Sequence, residues 1–254
     1  MGAGSLGRGL DHDDFELKQS KITKHDRFKS LERDAGGKSL RAFPHPALTK
    51  TAATLSRRAA LRYPVIRHRA RRGLWFLTDP ARTPDPAAIA EHLPAGAVVI
   101  YRTFGDPGAL ACAQALRRIT CRRGLLLLIG ADCRLARKVG ADGVHLPQRL
   151  AHQAGRLRRA RPDWLITGAA HSLPALLKAE RWGVEAVLIS AVFSSRSSSA
   201  GRALNVSRFQ ALAQKARGPV IALGGVNART ATRLRATCAA GLAGVDVFGS
   251  NGGF

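Results

Sequence analysis

The chain has 254 residues, of which 45% are hydrophobic, and this suits one barrel or two small domains with a sizeable core. No run of eighteen uncharged apolar residues occurs, and residues 1–14 lack the apolar core of a signal peptide, so we expect neither a transmembrane helix nor secretion. The formal net charge of +24 raises the question of an anionic partner. The four cysteines lack metal-ligand spacing and fit a reducing compartment, so we expect a cytoplasmic protein.

Residues 1–73 form a basic segment whose composition differs from that of the remaining chain. They hold 17 Lys/Arg and 7 Asp/Glu, and residues 2–40 show no sustained hydrophobic period. Such a segment cannot bury enough apolar surface to offset the entropy of ordering it. We therefore predict a disordered basic extension over residues 1–73, within which residues 49–63 are compatible with a short basic helix.

From Leu74 onwards, eight short apolar runs alternate with stretches of helical character. The runs cover residues 74–78, 97–101, 125–129, 143–146, 165–169, 186–190, 219–223 and 244–248. Continuous apolar runs of this length are typical of strands buried on both faces, and alternation with helices implies parallel βαβ units. The pattern predicts a compact α/β fold, a (β/α)₈ TIM barrel, over residues 74–254.

An open doubly wound sheet is the competing arrangement. It would call for a glycine-rich phosphate turn after the first strand, and Thr78-Asp79-Pro80 stands there instead. The barrel is therefore the favoured fold.

The active site of such a barrel lies at the carboxyl ends of its strands. Arg102 follows the second strand, His145 ends the fourth, and His171 follows the fifth. Histidine titrates near neutral pH and a guanidinium suits a phosphate or diphosphate. We assign His171 and Arg102 as catalytic and His145 as substrate-binding, with a structural, hydrogen-bonded histidine as the alternative for each imidazole.

Three further strand ends carry residues suited to binding phosphate. Glycines follow strands seven and eight, where bare backbone N–H groups contact phosphate oxygens, and a serine-rich loop with one arginine follows strand six. A tight turn and a flexible solvent loop are the respective alternatives. The predicted phosphate-binding residues are Gly225, Phe248, Gly249, Ser195, Arg196 and Ser197.

Carboxylates are scarce at these strand ends. His, Asp and Glu do not group at metal-ligand spacing, so we predict no metal site.

Four segments resemble thiamine phosphate synthases, a family that also includes thiazole tautomerases of the same fold. The segments are 140–148 (Gly-Ala-Asp-Gly-Val-His-Leu-Pro-Gln), Ala170-His171-Ser172, 190–193 (Ser-Ala-Val-Phe) and 222–226 (Ala-Leu-Gly-Gly-Val). The resemblance covers residues 74–248. It implies a transferase of thiamine biosynthesis that joins a hydroxymethylpyrimidine diphosphate to a thiazole phosphate, with Mg²⁺ neutralising the departing pyrophosphate.

The chain departs from the family pattern where magnesium would bind. The Asn-Asp expected after strand three reads Gly130-Ala131, and the adjacent Asp132 is a candidate ligand only if the register shifts by one residue. The second carboxylate position is Leu150, and Arg102 remains. We therefore expect weak Mg²⁺ binding and a thiamine phosphate synthase-like activity that is reduced or altered. The alternatives are a metal-free thiazole tautomerase-like enzyme, or a non-catalytic binder of a phosphorylated metabolite or nucleic acid. Among partners we favour a phosphorylated thiazole or pyrimidine over nucleic acid and expect no membrane.

Overall fold

Eight parallel strands close into a barrel in a computed structural model of the chain. Each strand pairs with the next one in sequence, and the eighth pairs with the first, with Trp75 opposite Ala243. The structure describes residues 44–64, 66, 69, 72–195 and 202–248. The TIM barrel predicted from the sequence is confirmed.

Seven of the eight strands lie where the apolar runs predict them. The strands are β1 (Leu74–Leu77), β2 (Val98–Tyr101), β3 (Leu126–Gly130), β4 (Gly143–Leu146), β5 (Leu165–Ala170), β6 (Ala186–Ile189), β7 (Val220–Ala222) and β8 (Gly241–Gly244).

The prediction for the eighth strand is wrong, because the strand covers Gly241–Gly244 and not residues 244–248. A Cβ at Gly241 would lie 2.6 Å from the carbonyl oxygen of Arg72, so this crowded strand needs small residues and lacks a strong apolar signal. The apolar residues that follow belong to a 3₁₀ turn, Asp246–Phe248, whose Phe248 packs edge-on against Phe76 at 5.7 Å.

One helix precedes the first strand, the other described helices each follow a strand, and most are capped by polar side chains. The helices are α1 (Pro46–Arg62), α2 (Pro86–His92), α3 (Ala109–Arg123), α4 (Cys133–Lys138), α5 (Ala154–Ala160), α6 (Leu173–Arg181), α7 (Asn205–Lys215) and α8 (Ala228–Ala231). Two further 3₁₀ turns, Gln148–Gln153 and Thr232–Leu234, adjoin α5 and α8. Within the described part of the chain, no helix has the length and apolar character needed to cross a membrane.

Helix α1 lies where the sequence is compatible with a short basic helix over residues 49–63, and it corrects the prediction of disorder for the part of residues 1–73 that it covers. It begins after His45, whose side chain accepts the N–H of Ala47, and it buries Leu48 and Leu55 fully in the core around β1 and β8. Its apolar residues point to one side, so burial against the barrel offsets the entropy that the composition alone would leave unopposed. Residues 1–43 lie outside the described residues, and disorder there stays a prediction.

The core has two layers, one inside the barrel and one between the strands and the helices. Inward-facing residues such as Trp75, Ile100 and Leu188 fill the interior. Two polar residues, His145 on β4 and Thr167 on β5, are also buried. Because β4 and β5 pair in register, His145 stands opposite Thr167 near the carboxyl end of the barrel.

Candidate active site

Arg102 lies at the mouth of the barrel, the end formed by the carboxyl ends of the strands. Its backbone N–H donates to Thr78 Oγ1 (2.9 Å) and its Nε donates to the carbonyl oxygen of Thr78 (2.7 Å). The guanidinium carbon is 4.9 Å from the ring centroid of Phe104. The Nη2 atom is buried and has no hydrogen-bond partner among the described residues, while the carboxylate of Asp79 lies 3.5 Å from it. A buried N–H without an acceptor is a position where an anionic ligand gains a strong hydrogen bond.

A chain of ion pairs beside Arg102 was not predicted from the sequence. Asp79 pairs with Arg82 at 3.0 Å, and Arg82 pairs with Asp246 at 3.2 Å. Burial raises the pKa of Asp79, but hydrogen bonding and charge from Arg82 and the charge of Arg102 outweigh it, so the pKa lies below its usual value. Asp79 is thus ionised at neutral pH and neutralises part of the positive charge of both arginines.

His145 is held neutral inside the barrel mouth. It is 7% exposed, and its Nδ1 is hydrogen-bonded to Thr167 Oγ1 at 3.0 Å. Burial, with a smaller contribution from the positive charge of Arg102, lowers the pKa of His145 to about 3. A neutral imidazole at neutral pH offers one N–H donor or one lone pair to a substrate, which is compatible with the predicted binding role and stays a prediction.

His171 is exposed at the same end of the barrel and is oriented by the strand that follows. Its Nδ1 lies 3.0 Å from the carbonyl oxygen of Ser190 and 3.2 Å from Ser190 Oγ. A carbonyl oxygen only accepts, so Nδ1 carries the proton and donates, which leaves the lone pair of a neutral ring on Nε2. The backbone N–H of His171 donates to Gln148 Oε1 at 3.1 Å. This arrangement suits a general base, and the catalytic role stays a prediction.

The glycine pair after β7 lies directly against the loop that follows β6. Gly224 and Gly225 adopt φ of +93° and +63°, a region that favours glycine. A Cβ at Gly225 would come within 2.3 Å of the carbonyl oxygen of Ser194. The N–H of Phe193 donates to the carbonyl oxygen of Gly224 (3.0 Å), which joins the two loops. Glycine is therefore required here by packing, whatever its backbone N–H binds.

The remaining predicted phosphate-binding residues are placed only in part. Phe248 is buried, so only its backbone is a candidate for binding phosphate. Ser195 lies in the loop after β6. Arg196, Ser197 and Gly249 lie outside the described residues, and their roles stay predictions.

The residues at the mouth do not fit a magnesium ion. Asp132 caps helix α4, and its Oδ1 accepts the N–H groups of Arg134 (2.9 Å) and Leu135 (2.8 Å). The side chains of Ala131 and Leu150 carry no ligand atom, and Asp79 is engaged by two arginines. Within the described residues, no three His, Cys, Asp or Glu side chains converge as metal ligands would.

Known proteins match the chain over its barrel. A family model described as thiamine monophosphate synthase matches residues 74–248. A thiamine-phosphate synthase of Alcanivorax borkumensis is 29% identical over 173 residues, covering 64% of this chain and 78% of that protein. A thiamine-phosphate synthase of Pyrococcus furiosus is 24% identical over 174 residues, covering 67% and 83%. A solved thiamine phosphate pyrophosphorylase from Pyrococcus furiosus covers 73% of this chain and 95% of its own, with a TM-score of 0.62 at 22% identity.

Proposed function

Because the chain belongs to the thiamine monophosphate synthase family, we propose that it joins a hydroxymethylpyrimidine diphosphate to a thiazole phosphate. In this reaction a bond to the thiazole forms at the methylene carbon of the pyrimidine while the bond from that carbon to the diphosphate breaks. The protein must therefore bind two phosphorylated rings and stabilise the diphosphate as it leaves.

The observation that carries the proposal is the buried Nη2 of Arg102, which has no hydrogen-bond partner among the described residues. Donation by Nε to Thr78 and the contact with Phe104 fix the plane of the guanidinium, so that Nη2 is preorganised to donate to a diphosphate oxygen. Because the described residues of the mouth offer no carboxylate set for Mg²⁺, Arg102 is the charge that we assign to the leaving group.

The other residues of the mouth bind and orient the two substrates. We assign the thiazole phosphate to the backbone N–H groups around Gly225 and the turn after β8. His145, neutral and hydrogen-bonded to Thr167, contacts the substrate ring from the barrel interior. His171 removes or returns a proton through Nε2.

Replacement of Arg102 tests the proposal. We expect Arg102→Gln to lower kcat/KM by about 100-fold, since a charged hydrogen bond to the developing diphosphate is lost, and Arg102→Lys to recover only part of it. Arg134→Gln is the matched control, because it removes an exposed arginine from the same end of the barrel without releasing Asp79. Equal losses in both variants would assign the effect to net charge at the mouth and contradict the role of Arg102.

A second candidate function is the metal-free isomerisation of a thiazole phosphate, which is the reaction of the thiazole tautomerases that this family includes. The observation that favours it is the fixed orientation of His171, whose Nδ1 donates to the Ser190 carbonyl. His171→Asn would then abolish isomerisation, and Arg102→Gln would leave the turnover number largely intact. The two functions therefore differ in which variant is inactive.

A further inference from the structure

The charges of the barrel are divided unevenly between its two ends. We define the basal face as the last four residues of each helix plus the loop that leads to the next strand. A 3₁₀ turn that adjoins a helix is counted as part of that helix. Among the described residues this face holds 16 Lys/Arg and 5 Asp/Glu, whereas the loops after the strands and the first four residues of the next helices hold 7 and 5. The surplus positive charge therefore lies at the end opposite the candidate active site.

Most of the acidic residues on the basal face are directed into the protein. Asp142 accepts the N–H of Leu127 and pairs with Arg117 and Arg69. Glu180 accepts the backbone N–H groups of residues 217 and 218 through Oε1, and its Oε2 is buried. Glu185 pairs with an arginine and is almost fully buried. These three carboxylates are therefore not presented to a ligand on the outward surface of this face.

Arg69, Arg122, Arg158 and Arg161 are paired with carboxylates of this face, but six other basic residues point outward without such a partner. Arg137, Lys138, Arg159, Arg181, Lys215 and Arg217 are exposed, and their side chains form no hydrogen bond or ion pair with the described residues. A cavity of about 710 Å³ opens on this face, and Arg181 and Arg217 form part of its lining. The helix dipole favours a cation at each helix end, which accounts for some of these residues.

Trp182 gives this cationic surface a second feature that the helix dipole does not explain. It lies between α6 and β6, next to Arg181, and is 39% exposed with one edge against His152 at 6.1 Å. Cationic side chains beside an exposed aromatic ring are the combination that binds single-stranded nucleic acid, because the cations contact the phosphates and a base stacks on the ring.

We propose that the basal face binds single-stranded nucleic acid. The phosphates contact the cations around Arg181 and Arg217, and a base stacks on Trp182. An anionic membrane is the less suitable partner, because the exposed large hydrophobic residues described on this face, Leu61 and Trp182, are too few to form an apolar surface for insertion. The mouth of the barrel stays accessible while the basal face is occupied.

The test compares two triple variants of equal net charge. Fluorescence polarisation of a labelled oligo-uridine RNA measures affinity at several salt concentrations. We expect R159Q/R181Q/R217Q to lower the slope of log affinity against log salt by about 2, since each phosphate contact on a single strand contributes about 0.7. The control R118Q/R134Q/R208Q removes exposed arginines outside the basal face and should keep the slope of the parent.

The stacking contact has its own variant. Trp182→Leu should weaken RNA binding about tenfold and abolish the quenching of tryptophan emission by RNA, because Trp75 and Trp164 are buried. Circular dichroism melting tests whether each variant is folded. If the triple variant of the basal face is unfolded, the single variant Arg181→Gln takes its place.

Three results would overturn the proposal. The first is an equal loss of RNA affinity in the two triple variants, which would mean that RNA binding depends on the total charge of the protein and not on the basal face. The second is no binding of oligo-uridine even at low salt. The third is tighter binding to phosphatidylserine vesicles than to RNA, with Trp182 buried by the vesicles, which would assign the face to a membrane.

Discussion

The neutral, buried His145 should make the stability of the barrel depend on pH in a way that one substitution removes. Its pKa is about 3 in the folded protein, against about 6.5 for histidine in an unfolded chain. Between these values the unfolded state binds more protons than the folded state, so the free energy of unfolding falls as the pH falls. The loss begins as the pH drops through the unfolded value and is complete below the folded one.

The magnitude follows from the two pKa values. Lowering the pH from about 7 to about 5 should cost about 2 kcal/mol of unfolding free energy through His145 alone, at about 1.4 kcal/mol per unit. His145→Gln keeps a polar side chain beside Thr167 but cannot be protonated, so this part of the pH dependence should be absent. The other titrating groups, including Asp79, contribute equally to parent and variant and cancel in the difference.

Urea unfolding followed by circular dichroism at the two pH values measures the effect. His152→Gln is the matched control, since it replaces an exposed histidine and leaves the barrel interior unchanged. It should retain the pH dependence of the parent. A His145→Gln variant that loses as much stability as the parent on acidification would refute the burial of a neutral imidazole at this position.

Three other predictions concern backbone geometry and the charge beside Arg102. Gly143→Ala should lower the free energy of unfolding in urea by about 3 kcal/mol, because its Cβ would lie 2.0 Å from the carbonyl oxygen of Leu165. Gly140→Ala, with open space around it, should lower it by only about 1 kcal/mol. Equal losses would contradict the close approach of β4 to β5. Ala131→Gly should raise the unfolding free energy by about 0.5 to 1 kcal/mol, since Ala131 holds a φ of +62°, and a loss would show that the strain is absent. Asp79→Asn should tighten pyrophosphate binding, measured by calorimetry, roughly tenfold by removing the carboxylate that competes for Arg102, and unchanged affinity would place the anion elsewhere.

The barrel was predictable because its strands are buried on both faces. Runs such as Val98–Tyr101 and Gly143–Leu146 mark such strands by their continuous apolar character. The strand Gly241–Gly244 has one large apolar residue, Leu242, and gives no such signal, since the backbone of residues 72 and 73 fills the space that a side chain at Gly241 would need. Helix α1 was underestimated because its stability comes from packing on the barrel, which composition does not report.

The site was predictable only as far as the rule on strand ends reaches. That rule placed Arg102, His145 and His171 at one mouth, as observed. The ion-pair chain from Asp79 through Arg82 to Asp246 depends on β8 closing against β1, a contact between residues far apart in sequence. The neutral state of His145 likewise depends on burial opposite Thr167, which becomes known only when the register of β4 and β5 is fixed.

The central claim is that the chain is a synthase in which Arg102, in place of a carboxylate-bound metal, stabilises the departing diphosphate. Product formation from hydroxymethylpyrimidine diphosphate and thiazole phosphate, followed by chromatography with excess EDTA and again with millimolar Mg²⁺, tests it directly. We expect thiamine phosphate to form at similar slow rates under both conditions, and to form far more slowly in Arg102→Gln. Product that forms only with Mg²⁺, or a rate unchanged in Arg102→Gln, would contradict the claim.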